Sequence, residues 1–356
     1  MKISQLLEQV AAADIANLAI DEPLYEDSYN FLDLKFKFKS NSAALLRWLA
    51  RSYACFSGKT ESTDVEFAFI EKGPFGAHLA FISGSSTHLI YKTGNGIITI
   101  YCENKTPPLK IAYLGEKAKR ELSWDQVEII SGDENGQDLF GIADLLVTIA
   151  IAALPKQCLF FHAACLSGNN GGIILAGETM NGKTTLSLGL AYRGYALLSD
   201  EITALKLDSG DILPFPKSLQ IREDSLNFIR PLMSKKPELG LNGSEKGRRL
   251  VSCETLGVRT AKTACQPTHF FLLQGFKKQP KASPALPREA LWYAMASSYA
   301  KVSGLPQSLL TIGAIFARLK CYRLWQGQVK ETVDLIQGLV MRDNQINLKY
   351  LNASPL

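Results

Sequence analysis

Gly171-Gly-Ile-Ile-Leu-Ala-Gly-Glu-Thr-Met-Asn-Gly-Lys-Thr184 is the stretch on which the fold of the chain turns. Its first six residues are a short apolar run, β-branched at Ile173 and Ile174, of the kind that makes a buried strand. From Gly177 to Thr184 the chain matches a glycine, four free residues and Gly-Lys-Thr, the pattern of a loop that cradles phosphate. The residues that follow, to Arg193, place Leu186, Leu190 and Ala191 at helical spacing. Strand, glycine-framed loop and helix come in the order a phosphate site requires.

The chemistry follows from that order. Backbone N–H groups around Met180 to Lys183, aimed by a helix N-terminus, form a concave donor set for phosphate oxygens. Glycine lets the backbone come close to them. Gly177, Thr179, Met180, Asn181, Gly182, Lys183, Thr184 and Thr185 are therefore the candidate nucleotide-binding residues. Lys183 sets a compact positive charge on the β- and γ-phosphates, and the Thr184 hydroxyl can sit on Mg²⁺. As a residue of an exposed loop, Lys183 is expected to contribute little to stability, so its removal should spare the fold.

Arg193-Gly194 supplies a basic residue and a glycine as a helix stop. Tyr195-Ala-Leu-Leu-Ser199 then reads as a buried strand running into Asp200-Glu201. Ligands of open α/β sheets gather at the carboxyl ends of strands. The two carboxylates are thus expected beside the phosphate loop, where Thr184, Asp200 and Glu201 form the candidate metal set.

The segment Phe161-His162-Ala-Ala, then Gly177-x4-Gly-Lys-Thr184, then Arg193-Gly194-x4-Ser199-Asp200-Glu201 resembles the catalytic domain of HPr kinase/phosphorylase and its serine-kinase relatives. The spacings agree with that family: 200 − 183 = 17 residues from Lys183 to Asp200, and 183 − 162 = 21 from His162 to Lys183. The resemblance spans roughly residues 158 to 340. It implies a phosphate-loop domain related to phosphoenolpyruvate carboxykinase, with ATP and Mg²⁺ as cofactors. It also implies that Asp200 is the acid/base handling a serine hydroxyl proton, with His162 nearby and Lys183 completing the catalytic set. HPr kinases carry two aspartates where this chain has Asp200-Glu201, and their downstream Arg-Gly signature is not visible here. Ser199-Asp-Glu followed by Pro214-Phe-Pro-Lys-Ser-Leu219 is more similar to the HPr-kinase-like proteins found beside peptide-modification enzymes, some of which phosphorylate a serine in a ribosomally made peptide.

The expected organisation is a smaller α+β domain over 1–137 and the ATP-binding α/β catalytic domain over 138–356. The boundary is Ser131-Gly-Asp-Glu-Asn-Gly-Gln137, rich in turn formers. In the first domain Leu34-Lys-Phe-Lys-Phe-Lys39 alternates with period two, a strand with its lysines outward, and Ser42 to Tyr53 is a helix with Leu45, Leu46 and Leu49 as its stripe. Strands are expected at Val65–Ile70, His78–Ser83, His88–Tyr91 and Ile97–Cys102, with a Gly94-Asn-Gly96 hairpin turn, and a helix from Leu139 to Ala153. Beyond Leu207 the sequence predicts strands at His269–Gln274 and Cys321–Trp325 and helices at Arg288–Val302, Gln307–Leu319 and Val329–Val340.

Net charge is +5 with the basic residues dispersed, which leaves no footprint for nucleic acid. The longest apolar run, Leu145 to Leu154, is well short of the ~20 residues of a membrane span. Seven cysteines form no CxxC pair and read as reduced thiols, so with no signal peptide at the N-terminus the expected location is the cytoplasm.

Two functions satisfy these residues. One is an ATP-dependent kinase of a hydroxyl, a serine in a peptide or protein or else a free small hydroxyl compound, with Asp200 as base. The other is a nucleotide-binding regulatory or assembly module, which needs the phosphate loop but no proton acceptor. A carboxykinase would need a cluster of metal-binding His and Lys, which is not evident. The acceptor is expected to enter over Asp200, past Pro214–Arg222 and the basic stretch Lys235–Arg249. This makes Arg222, Arg230, Arg248 and Arg249 the candidate substrate residues, with the last two on a stretch that reads first as a solvated loop and second as a mobile lid. Choice of ATP over GTP and assembly into a homo-oligomer stay open at this level.

Overall fold

The structure is a computed structural model that describes residues 25–31, 34–40, 43–58, 65–72, 77–83, 87–93, 97–103, 111–114, 128–129, 147–148, 158–233, 248–298 and 305–352. The chain divides into two compact units, Met1–Thr148 and Ile149–Leu356. The stretch 131–137, expected as the boundary, lies outside the described residues, as do the Gly94–Gly96 turn and almost all of the helix expected from Leu139 to Ala153.

The first unit is an eight-stranded sheet in sequence order: β1 (Tyr25–Phe31), β2 (Leu34–Ser40), β3 (Val65–Lys72), β4 (Ala77–Ser83), β5 (Thr87–Thr93), β6 (Ile97–Glu103), β7 (Ile111–Leu114) and β8 (Glu128–Ile129). The period-two pattern of β2 works as its sequence predicts. Phe36 and Phe38 are fully buried while Lys35 is exposed, and Lys37 reaches Glu26 across the β1–β2 pair at 3.0 Å. Helix α1 (Ala43–Ser52) covers the apolar face with Leu46 and Leu49. Tyr29, Phe36, Phe38 and Tyr53 form a ring cluster with centroids 5.0 to 6.4 Å apart.

The second unit is built on a mixed sheet. β9 (Cys158–Gly168) and β10 (Gly171–Ala176) form an antiparallel hairpin, and α2 (Lys183–Ala191) leads to β11 (Ala196–Ser199) and β12 (Ile202–Lys206), both antiparallel to β9. β13 (Ile212–Leu213) extends that edge. β14 (Leu219–Arg222) leaves the sheet, leads into α3 (Glu223–Ile229), and pairs with β15 (Arg248–Val251) in a separate two-stranded ribbon. On the other side β16 (Pro267–Phe276) runs parallel to β10, and β17 (Lys281–Pro284) pairs antiparallel with β18 (Lys320–Gln326), which is parallel to β16. The order is β13-β12-β9-β10-β16-β18-β17. Since β10 and β11 both oppose β9, they run the same way, and their carboxyl ends meet at one edge.

Alternation along the strands makes two cores. Leu166, Ile173, Leu175, Phe271 and Leu273 face α2 and the long helix α6 (Val329–Asn352). Phe161, Cys165, Ile174, Phe270 and Leu272 face α4 (Pro287–Ala296) and α5 (Leu305–Ala317) through Ala290, Ala294, Ile312 and Phe316. Helices on both faces of a sheet give a mixed α/β architecture. Two helix lengths depart from expectation. α4 stops at Ala296, where the Ser297 hydroxyl turns back onto the Tyr293 carbonyl. α6 continues past Val340 because Asp343, buried against Tyr322, gives the next turn a polar anchor. Among the described residues no helix is long and apolar enough to cross a membrane.

Candidate functional site: the glycine loop and its acidic neighbour

The loop from Gly177 to Gly182 is shaped by two glycines with different duties. At Gly177 a Cβ would come within 2.9 Å of Leu273 Cβ, so only glycine lets the chain leave β10 against β16. Gly182 has φ +72°, the left-handed conformation that glycine takes without strain, and it sets the N-terminus of α2. Met180 also has φ +74°, an uncommon conformation for a residue with a Cβ and one concentrated at ligand-binding loops. Three contacts hold the loop from outside. The Gln326 amide donates to the Asn181 carbonyl at 2.6 Å, the Tyr293 hydroxyl donates to the Gly177 carbonyl at 2.6 Å, and Asn181 Nδ2 reaches the Leu273 carbonyl at 3.5 Å.

Lys183 corrects one expectation. It is not an exposed loop residue but is 7% exposed, with its ammonium donating to the carbonyls of Gly177 at 2.6 Å and Glu178 at 2.9 Å. Burial holds its pKa below the usual lysine value, against the pull of Asp200, Glu201 and Glu178. A lysine that ties both ends of its own loop is part of the fold as well as of the site. Its removal takes one donor from each of two carbonyls, which keep their bonds from the Tyr293 hydroxyl and the Asn181 N–H, and the two lost hydrogen bonds cost about 1–3 kcal/mol together.

Asp200 stands at the carboxyl end of β11, where sequence places it, and is bound to α2 through both oxygens. Thr184 Oγ1 donates to Oδ2 at 2.8 Å and Ser187 Oγ to Oδ1 at 2.8 Å. Burial pushes the Asp200 carboxyl up to about 6, although the two hydroxyls favour its charged form. Glu201 is exposed on the same cleft. His162 lies on β9 opposite Ile202, one residue beyond the Ala163–Ala176 pair that ends β10. Burial, helped by the Lys183 charge, brings its pKa down to about 4, so the imidazole is neutral near pH 7.

These groups line a cleft of about 230 Å³ between the Gly177–Gly182 loop and the segment from Phe215 to Arg222. Thr179, Met180, Gly182, Lys183, Thr184 and Thr185 form one wall; His162, Asp200 and Glu201 form the floor. Gly177 and Asn181 support this wall without lining it. Of the four arginines expected to meet substrate, Arg222 lines the cleft. Arg230 does not; it is exposed and bonds Asn227 within its own helical segment. Arg248 and Arg249 open strand β15, with backbone partners Arg222 and Ile221, so that end of the basic stretch is sheet and not lid. The rest of the stretch, 234–247, lies outside the described residues.

Sequence reasoning missed four residues here. Lys217, 9% exposed, adds a second cation to the cleft beside Arg222. Ser187 could have been found, because it sits three residues after Thr184 on one helix face. Gln326 and Tyr293 come from β18 and α4 and carry no local signal. No protein-family model and no curated protein matches the chain.

Proposed function

We propose that the chain is an ATP-dependent phosphotransferase of the HPr-kinase-like kind, moving the γ-phosphoryl group to a hydroxyl, with a serine of a peptide or protein as acceptor. The observation that carries this is the 2.8 Å bond from Thr184 to Asp200, which joins the last residue of the phosphate loop to a carboxylate from a separate strand. A glycine turn that merely capped a helix would not need that connection. Phosphoryl transfer does, because metal, phosphate and proton acceptor must share one corner.

The donor set suits magnesium. Mg²⁺ keeps most of its shell as water and phosphate oxygens and takes one or two protein carboxylates. The Thr184 hydroxyl, Asp200 and Glu201 form such a set, while among the described residues no group of three or more His, Cys, Asp or Glu offers a closed cage. Bound there, the ion neutralises charge on the β- and γ-oxygens. Lys183 exchanges its carbonyl partners for phosphate oxygens, and Lys217 and Arg222 add positive charge along the cleft. Asp200 takes the acceptor's proton. A carboxyl near 6 is matched to work near neutrality, and each of its oxygens keeps a second lone pair beyond the bond it already accepts.

One observation favours a second division of labour. Both Asp200 oxygens already serve α2, whereas Glu201 is exposed on the cleft. In that version Asp200 holds the metal and Glu201 accepts the proton. Magnesium-ATP titration together with transfer of labelled γ-phosphate to serine peptides tests both versions. Loss of transfer in Asp200→Asn with ATP affinity kept within a few-fold supports Asp200 as base, and the same pattern in Glu201→Gln supports Glu201. Equal, slow hydrolysis in wild type and both variants, with no transfer, would make the protein a nucleotide-binding regulatory module instead.

A further inference from the structure

A second, wider cleft of about 1080 Å³ opens on the other side of the phosphate loop, between that loop and α4. Glu178, Thr179 and His162 form its inner wall, and Arg288, Trp292 and Tyr293 its outer one. His162 and Thr179 line both clefts, so the two meet there. Trp292 is 77% exposed, the most exposed large apolar side chain among the described residues. Arg288 lies four residues earlier and therefore on the same face of α4. Glu289, by contrast, is engaged by Arg323 at 2.6 Å.

The order of phosphates along a loop of this type decides what each cleft holds. Backbone N–H groups cradle the α- and β-phosphates, and the lysine reaches the β- and γ-phosphates. Here the Lys183 ammonium lies on the Gly177 and Glu178 carbonyls, at the start of the loop. Glu178 belongs to the wall of the second cleft. The terminal phosphate therefore points toward the junction at Thr179 and His162, and the nucleoside end runs the other way, toward Gln220, Arg222 and Ser225. In-line transfer brings the acceptor from the side opposite the leaving phosphate, which is the α4 side.

Resting on the phosphotransferase reading, we infer that the α4 cleft is the acceptor site and that it selects a serine flanked by an apolar side chain packed on the Trp292 indole. The acceptor hydroxyl enters at His162, and the segment from Pro214 to Arg222 covers the nucleotide instead. The hydroxyl oxygen forms the new bond to the γ-phosphorus, the bond from γ-phosphorus to the β–γ bridging oxygen breaks, ADP leaves with that electron pair, and the hydroxyl proton passes to the carboxylate base. The His162 imidazole, which lines both clefts, is placed to bond the hydroxyl as it enters.

The test uses the full-length protein, magnesium ATP labelled in its γ-phosphate, and short peptides with one fixed serine and one neighbouring position varied through all residues. Peptides with an aromatic or large aliphatic neighbour should be labelled roughly tenfold or more above those with glycine or a charged neighbour, the range an apolar pocket can discriminate. Trp292→Ala should flatten that preference and Trp292→Phe should keep much of it. Leu310→Ala, an equally exposed apolar residue on α5 that lines neither cleft, should leave it intact. A preference that survives Trp292→Ala, or labelling with no preference, would each overturn the inference while leaving the phosphotransferase reading standing, whereas ATP hydrolysis with no peptide labelled would overturn the inference and count against the phosphotransferase reading as well. Failure of the wild type to bind and turn over magnesium ATP would remove both.

Discussion

The sheet of the second unit carries a buried polar network at each of its two edges, and they behave differently. At the carboxyl edge of β10, Lys183, Thr184, Ser187 and Asp200 are tied together and open into two clefts. Toward the opposite edge, His269 on β16 lies 3.5 Å from Asp343, which also accepts from Tyr322 and Arg342, while Thr268 reaches the other imidazole nitrogen at 2.9 Å. Both networks hold a histidine whose pKa burial has lowered. His162 lines both clefts; His269 lines neither and is 1% exposed. Perturbed titration thus marks burial at both ends, and only access to a cavity distinguishes chemistry from architecture.

That contrast can be broken most sharply at Asp200. Asp200→Asn is expected to lower transfer to a serine acceptor by ~10²–10⁴, the span of lost general acid–base catalysis, with magnesium-ATP binding within a few-fold. Asp343→Ala should invert the pattern. It leaves the buried Tyr322 hydroxyl without its acceptor and is expected to cost about 1–3 kcal/mol in a denaturant melt, while the protein that stays folded keeps its turnover. If Asp343→Ala lost activity without losing stability, the far edge would be functional and the distinction would fail.

Lys183→Ala belongs to both categories, since the side chain is site and latch at once. It should abolish turnover and weaken ATP binding in a titration, and in addition cost about 1–3 kcal/mol of stability. The pH dependence sharpens the same point. Asp200 is raised from 3.8 to about 6 in the folded protein, so the native state holds its proton more tightly than the unfolded chain does. Asp200 therefore favours folding in acid, and its contribution falls as pH rises from about 3.8 through about 6, where the buried carboxyl must ionise. Activity runs oppositely, with kcat/KM falling below pH 6 as the base is protonated. Asp200→Asn should flatten both trends, measured by melts and rates across pH 4 to 8. The smallest effect is expected at Gln326→Ala. Losing one hydrogen bond to the loop, worth about 1 kcal/mol, should raise the KM for ATP about fivefold with kcat nearly kept.

What the sequence made legible was local. Ile173 and Ile174 in a short apolar run, the Gly177–Thr184 pattern and the Ser199-Asp200-Glu201 strand end all declare themselves within a few residues, and the structure sets them at one edge. What it hid was brought by distant chain. Tyr293 and Gln326 reach the loop from 116 and 145 residues away, and neither has a neighbour in sequence that marks it. The burial of Lys183 was hidden for a related reason, since a lysine in a glycine loop reads as exposed until the carbonyls that receive it are in place. Arg248 and Arg249 read as residues of a solvated loop or a lid because their segment is rich in charge and glycine, yet a strand at Leu219–Arg222 provides the pairing partner that draws them into a ribbon.

On the phosphotransferase reading, the two carbonyls that hold Lys183 make nucleotide binding an exchange rather than a capture. Its ammonium already has hydrogen-bond acceptors at 2.6 and 2.9 Å, so a lone sulfate or phosphate must displace what is there for little in return. A polyphosphate can surrender oxygens from two adjacent groups and still fill the rest of the loop. On that reading the resting lysine is a threshold for valency, one that a chain of phosphates is equipped to pass and a single anion is not.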